Sequence, residues 1–182
     1  MKIIETDIPD LKIIEPRVFS DDRGYFLETW NAQSFSRAGL NWTFVQDNQS
    51  RSHRSVLRGL HYQIQSPQAK LVRVVTGAIY DVAVDLRRGS PTFGRWAGAE
   101  LSEANHRMML IPTGFAHGFL SLTDGTQLVY KCTDFYASQH ERTIMWNDPD
   151  LAIAWPLAAG EQPIVSPKDA MGRGLKEADV FA

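Results

Sequence analysis

Short stretches in which apolar and polar residues alternate, separated by Gly, Pro, Asp and Asn, dominate the chain. Residues 70–75 are rich in β-branched side chains and end at Thr76-Gly77. Beyond that turn, residues 78–86 alternate, with Tyr80, Val82, Val84 and Leu86 on one face and Ile79, Asp81, Ala83 and Asp85 on the other. Residues 11–14, 25–30, 42–48, 108–111 and 115–122 read as further strands, with another around Leu101. Asp124-Gly125 is a hairpin signal leading into a strand over residues 126–133. Helical periodicity is confined to residues 32–38 and 102–105. About ten strands with turn signals every 8–12 residues predict an antiparallel all-β sandwich or barrel with a few short helices. From about residue 156 the pattern loosens, because Pro156, Gly160, Pro163, Pro167, Gly172 and Gly174 interrupt it. That irregular tail either wraps the body or frays. No repeat, low-complexity tract or linker divides residues 1–182, so one domain is expected.

Composition narrows the class. At 182 residues, 43% hydrophobic and 22% charged, the chain matches a soluble globular domain able to bury a core, and not a disordered, collagen-like or coiled-coil protein. Nineteen basic against 21 acidic residues give a net charge of −2, so no basic footprint for nucleic acid is expected. The single cysteine, Cys132, forms no intrachain disulfide and suits a reducing compartment. No run approaches the roughly 18 apolar residues of a membrane span, and acids interrupt the N-terminus before a signal-like core develops. A cytoplasmic location and no membrane partner are the expectations.

Of five histidines, His61 and His117 sit in apolar, strand-like settings. A lone histidine there is ordinarily a hydrogen-bonded core residue. Two of them beside Gly and aromatic residues resemble the cupin superfamily, a double-stranded β-helix jelly roll. Pro112-Thr113-Gly114-Phe115-Ala116-His117 matches the start of the second cupin motif, with Ser121 where Asn stands in that pattern. Of the first motif only His61 remains. Gln63 takes the place of the second His, and Lys70, with six residues between it and Gly77, takes the place of the Glu. A divalent cation needs lone pairs from imidazole or carboxylate, whereas an ammonium has none and repels it. A metal-free, cofactor-free pocket is therefore expected. In it a lysine would serve as a fixed positive charge beside an oxyanion, and a histidine is a suitable base for a carbon-bound proton. Tyr130, on the same strand face as Leu128 and Cys132, is placed to return the proton. Base, charge and acid together describe proton transfer next to a carbonyl.

More specific is the ordered set Phe44-Val45-Gln46-Asp47-Asn48-Gln49-Ser50, Val56-Leu57-Arg58-Gly59-Leu60-His61, Lys70-Leu71-Val72-Arg73 and Asp81-Val82-Ala83-Val84-Asp85. It continues through Ser90-Pro91-Thr92-Phe93-Gly94, Ile111-Pro112-Thr113-Gly114-Phe115-Ala116-His117-Gly118-Phe119, Tyr130-Lys131 and Trp146-Asn147-Asp148. Together these closely resemble the dTDP-4-dehydrorhamnose 3,5-epimerase family, from about residue 3 to Asp169.

The resemblance implies an isomerase of dTDP-L-rhamnose synthesis. It would take dTDP-4-dehydro-6-deoxy-D-glucose to dTDP-4-dehydro-L-rhamnose through proton exchange at C3 and C5, both α to the C4 ketone. It makes His61 the base, Asp169 its orienting partner, Tyr130 the acid and Lys70 the group beside the enolate oxygen. Substrate contacts carried over are Arg23, Phe26, Glu28, Gln46, Asp47, Asn48, Arg58, Lys70, His117, Tyr136, Glu141 and Lys168, with Phe26 and Tyr136 near the nucleotide. It also implies a homodimer with N-terminal strand exchange, in which residues around Arg23 to Glu28 complete the partner's site. Arg58 and His61 have opposite strand parity, so both reach one pocket only if the chain bends or bulges at Gly59. The alternatives are a relative that epimerises C3 or C5 alone, a non-catalytic sugar-binding cupin, and a metal-dependent cupin oxygenase, which Gln63 and Lys70 disfavour.

Overall fold

The computed structural model describes residues 1–182. In chain order the elements are β1 (Lys2–Glu5), β2 (Lys12–Glu15), β3 (Val18–Asp21), β4 (Gly24–Leu27), α1 (Ala32–Arg37), β5 (Gln46–Ser52), β6 (Leu57–Gln63) and β7 (Lys70–Thr76). They continue with β8 (Ala78–Asp85), β9 (Trp96–Ser102), β10 (Met108–Ile111), β11 (Phe115–Ser121), β12 (Thr126–Cys132), β13 (Glu141–Thr143) and α2 (Pro167–Ala170). A six-stranded sheet, β1-β2-β10-β7-β12-β5, packs on a five-stranded sheet, β13-β6-β11-β8-β9, and β3 and β4 form a separate hairpin. From β5 to β12 the chain repeatedly passes from one sheet to the other, which makes a cupin-like jelly roll.

The alternation of the strands explains the layers. Between the sheets, Val72, Val74, Met109, Ile111 and Leu128 meet Ile79, Ala83, Leu101, Phe115 and Phe119. The outer face of the six-stranded sheet, with Ile14, Leu71, Met108 and Leu110, is covered by Trp30, Phe35 of α1, Leu40, Trp42 and Phe44. The outer face of the five-stranded sheet, with Leu60, Tyr62, Val82, Val84 and Leu86, is covered by Ile153, Trp155, Leu175, Val180 and Phe181. The irregular tail thus wraps the body, and its Trp155 indole donates to Trp146 O at 2.8 Å.

Several local expectations are corrected. Asp124-Gly125 is not a hairpin, since β11 and β12 belong to different sheets; the turn is a corner between them, like Thr76-Gly77. The strand over residues 25–30 stops at Leu27. Residues 42–45 are not strand, because Trp42 and Phe44 turn onto the outer sheet face and the ladder begins at Gln46. Residues 102–105 form a turn closed by Ser102 and Asn105 side chains, not a helical turn. No helix is long and apolar enough to cross a membrane.

Candidate active site

A cleft of about 280 Å³ opens between the sheets, lined by Gln46, Asn48, His61, Tyr62, Gln63, Gln68, Lys70, Tyr130, Tyr136 and Glu141. One wall is the five-stranded sheet. On β6 the register slips: Arg58 pairs with Phe119 and His61 with His117, so three steps on β6 match two on β11. The slip puts Arg58 and His61 on the same inward face, as the parity of the two residues required. It depends on Gly59 and Gly118 lying back to back. Gly59 has φ 131°, and a Cβ on it would sit 2.5 Å from Gly118 Cα.

Facing this wall, β7 and β12 of the six-stranded sheet supply Lys70, Tyr130 and Cys132, while β5 supplies Gln46 and Asn48. The closing edge comes from the loop before β13. There Gln63 Oε1 accepts from Ala137 N at 2.8 Å, and Gln46 Oε1 accepts from Tyr136 N at 3.0 Å, which fixes the exposed Tyr136 over the mouth.

His61 Nε2 bonds to Asp169 Oδ1 at 2.6 Å. Because an ionised carboxylate only accepts, this fixes the Nε2–H tautomer and leaves Nδ1 as the basic nitrogen. Asp169 arrives on α2, whose start is set by Ser166 as N-cap, accepting from Asp169 N at 3.1 Å, with Pro167 in the first turn. Burial pushes the Asp169 carboxyl up, but the His61 bond and charge, Gly59 N–H and Ser166 outweigh it and leave it below the ordinary Asp value. Glu141 behaves likewise: burial raises it, and Lys168, Tyr136 and His61 bring it below the ordinary value. Lys168 is ion-paired to Glu141, and Tyr136 Oη donates to Glu141 Oε2 at 2.7 Å. Burial lowers Lys70, an effect partly opposed by Cys132, Asp81 and Glu141. Tyr130 is raised by burial, so its phenol keeps its proton at neutral pH.

The cleft thus gathers Gln46, Asn48, His61, Lys70, Tyr130, Tyr136 and Glu141, with Asp169 and Lys168 bonded to its members. Arg58 is exposed beside it, its Nε donating to Ser52 Oγ at 3.1 Å. His117 lies deeper, 7% exposed, bonded through Nε2 to Asp81 Oδ1 at 2.7 Å. Four residues fall elsewhere. Asp47 points to the opposite face of β5, where it pairs with Lys131 beside a larger outer groove of about 420 Å³. Arg23, 90% exposed and paired with Asp21, Phe26, 69% exposed, and Glu28, bonded to Asn31, belong to the β3–β4 hairpin region. Gln63 and Gln68, which hold the rim, and Asp81 were absent from the sequence-derived set. Gln63 was visible only as an anomaly in the cupin motif. No three His, Cys, Asp or Glu side chains converge in a cation-binding group.

Fold and site together define a cupin-type jelly-roll enzyme whose cleft brings His61, Lys70 and Tyr130 together. Residues 5–177 match the model of the dTDP-4-dehydrorhamnose 3,5-epimerase family, and the chain belongs to that family. It is 56% identical to the dTDP-4-dehydrorhamnose 3,5-epimerase of Pseudomonas aeruginosa over 182 residues, covering 100% of this chain and 99% of that one. Among solved structures it is similar to the dTDP-6-deoxy-D-glucose-3,5-epimerase of Legionella pneumophila in complex with dTDP-4-keto-L-rhamnose. That match has TM-score 0.94 and 52% identity, covering 98% of this chain and 94% of that one. A 3'-monoepimerase from Streptomyces bikiniensis in complex with dTDP-quinovose matches with TM-score 0.88 and 39% identity, covering 94% and 87%.

Proposed function

We propose that the protein converts dTDP-4-dehydro-6-deoxy-D-glucose to dTDP-4-dehydro-L-rhamnose by epimerisation at C3 and C5. The observation that carries this reading is the placement of His61 and Tyr130 on opposing sheets of one cleft, with Lys70 on the same sheet as Tyr130. Inversion requires a proton to leave one face of a carbon and return to the other, and groups on opposing walls can do that without the planar intermediate turning over. His61 Nδ1 takes the proton while Asp169 steadies the imidazolium. The electron pair moves onto the C4 oxygen, where the Lys70 ammonium stabilises the enolate. The Tyr130 phenol delivers a proton from the opposite side. Arg58 and Lys168 suit the diphosphate, and Tyr136 offers an aromatic face to thymine.

The exposed hairpin supports a homodimer. Phe19, Tyr25 and Phe26 are 49%, 60% and 69% exposed on β3 and β4, an apolar surface that a partner would cover. In this reading Arg23, Phe26 and Glu28 reach the partner's cleft, all of residues 1–182 act as one domain, and the enzyme works in the cytoplasm.

Chelator-treated protein is incubated with the substrate in deuterated water and C3 and C5 are followed by NMR. Deuterium at both carbons is the expected result; label at one carbon makes the protein a single-position epimerase, and label at neither refutes the reaction. The shared site has its own test. Mixing inactive His61→Asn and Arg23→Ala proteins under subunit exchange is expected to restore about a quarter of wild-type activity, since half the dimers are mixed and each has one intact site. No recovery would place Arg23 in its own subunit's cleft.

A further inference from the structure

The segment between β12 and β13 carries Tyr136 over the mouth of the cleft, and side chains tie its backbone down. No backbone–backbone hydrogen bond reaches Asp134, Phe135 or Tyr136. Three glutamines from outside the segment hold it instead. Gln68 Nε2 donates to Asp134 O at 2.7 Å, Gln63 Nε2 donates to Phe135 O at 3.2 Å, and Gln46 Oε1 accepts from Tyr136 N at 3.0 Å. Gln63 makes a second bond to the segment, its Oε1 accepting from Ala137 N at 2.8 Å.

Gln63 is the last residue of β6, 4% exposed, and stands in register with Glu141 of β13. Its Nε2 also donates to Ser66 O at 2.8 Å, in the loop that follows β6. A carboxamide offers two N–H donors and an oxygen acceptor, so both donors of Gln63 and its oxygen are engaged by protein. It lines the cleft but has no donor left for a ligand. Its effect on a ligand therefore runs through the residue it brackets, Tyr136, whose hydroxyl is fastened at the far end to Glu141 Oε2 at 2.7 Å. An ionised carboxylate or an apolar side chain of similar length could not bond a carbonyl and an N–H of one loop at once. An aromatic ring already set over the mouth stacks on a base directly, whereas a loose loop loses affinity to its own ordering.

We propose that Gln63 is a positioning residue for nucleotide recognition: its carboxamide sets the backbone on either side of Tyr136 and thereby holds the ring where thymine stacks. The proposal rests on the role given to Tyr136 above. Its rival is a carboxamide that only satisfies buried backbone groups and stabilises the fold.

dTDP affinity, kcat and KM for dTDP-4-dehydro-6-deoxy-D-glucose, and thermal unfolding are measured for wild type, Gln63→Met, Tyr136→Ala and the double variant. Gln63→Met is expected to weaken dTDP binding about tenfold and to raise KM by a similar factor, with kcat changed less than about threefold. The split is expected because His61, Lys70 and Tyr130 stand on strands and not on the loop. In the Tyr136→Ala background the same substitution is expected to change dTDP affinity less than about twofold. Equal losses in both backgrounds, or a loss confined to kcat and melting temperature, overturn the proposal. A Tyr136→Ala protein with wild-type dTDP affinity refutes the thymine role of Tyr136 itself. Weakened binding in Tyr136→Ala beside wild-type binding in Gln63→Met refutes Gln63 alone. Should Gln63→Met not fold, Gln63→Glu is measured in its place. When ionised it keeps an oxygen for Ala137 N and loses both donors, so the same dependence on Tyr136 is expected, and a loss of affinity independent of Tyr136 overturns the proposal.

Discussion

At the scale of residues, the chemistry rests on a few side chains whose protonation is set by where they stand. Asp169 fixes one nitrogen of His61, so Asp169→Asn removes the charge and, with its amide oxygen kept for Gly59 N–H, turns an NH2 donor toward Nε2, which selects the other tautomer while leaving the shape almost unchanged. Solvent deuterium exchange at C3 is expected to slow on the order of 10²-fold, with dTDP affinity retained. Tyr130→Phe separates the two halves of the reaction. Label loss from substrate should persist, while net product falls on the order of 10²-fold or more; equal slowing of both would make Tyr130 a positioning residue. Much at this scale was legible, because strand parity alone puts Lys70 with Val72 and Tyr130 with Leu128 and Cys132. The same parity argues against Asp47, which alternates with Gln46 and Asn48 and so cannot share their face. Asp81 escaped notice because one acidic residue in an alternating strand looks like any other until its burial and its His117 bond are known.

At the scale of elements, β6 and α2 build the site. The bulge on β6 works only while Gly59 and Gly118 lack side chains. Gly118→Ala would place a Cβ 2.8 Å from Arg58 O, and should cost about 1–3 kcal/mol in chemical denaturation and disturb the pairing of His61 with His117. Ser166→Ala removes the cap of α2. It is expected to cost about 1 kcal/mol and to lower kcat more than it raises KM, because Asp169 N loses its anchor. The bend at Gly59 could be anticipated from the conflicting parity of Arg58 and His61. The short strands β1, β3 and β13 could not, since three or four residues carry too little alternation to stand out. Residues 42–48 misled for a physical reason: the alternation is continuous, but Trp42 and Phe44 bury under α1 while Gln46 and Asn48 face the cleft.

At the scale of the whole molecule, both sheets are covered on their outer faces, and Asp85 is a fixed point of the barrel. Burial pushes its carboxyl up, but bonds from Arg87, Ser90 and Thr92 prevail and bring it down to about 2, and Arg87 carries the link on to Asp10. A carboxyl depressed from 3.8 to about 2 contributes about 2 kcal/mol that is present above pH 4 and disappears as pH falls toward 2. Stability measured by denaturation is therefore expected to drop over that interval in wild type, and to be lower and flatter there in Asp85→Asn. The covering role of the tail was not legible, because Pro and Gly erase periodicity while Trp155, Leu175 and Phe181 still find apolar ground. That tail has a consequence during synthesis. His61 and Asp169 are 108 residues apart in the chain, so the ribosome makes both sheets before it makes the carboxylate that bonds His61. A chain interrupted before Ser166 would hold every strand yet lack the carboxylate that bonds His61, so under the proposed mechanism enzymatic activity becomes a report that translation went past α2.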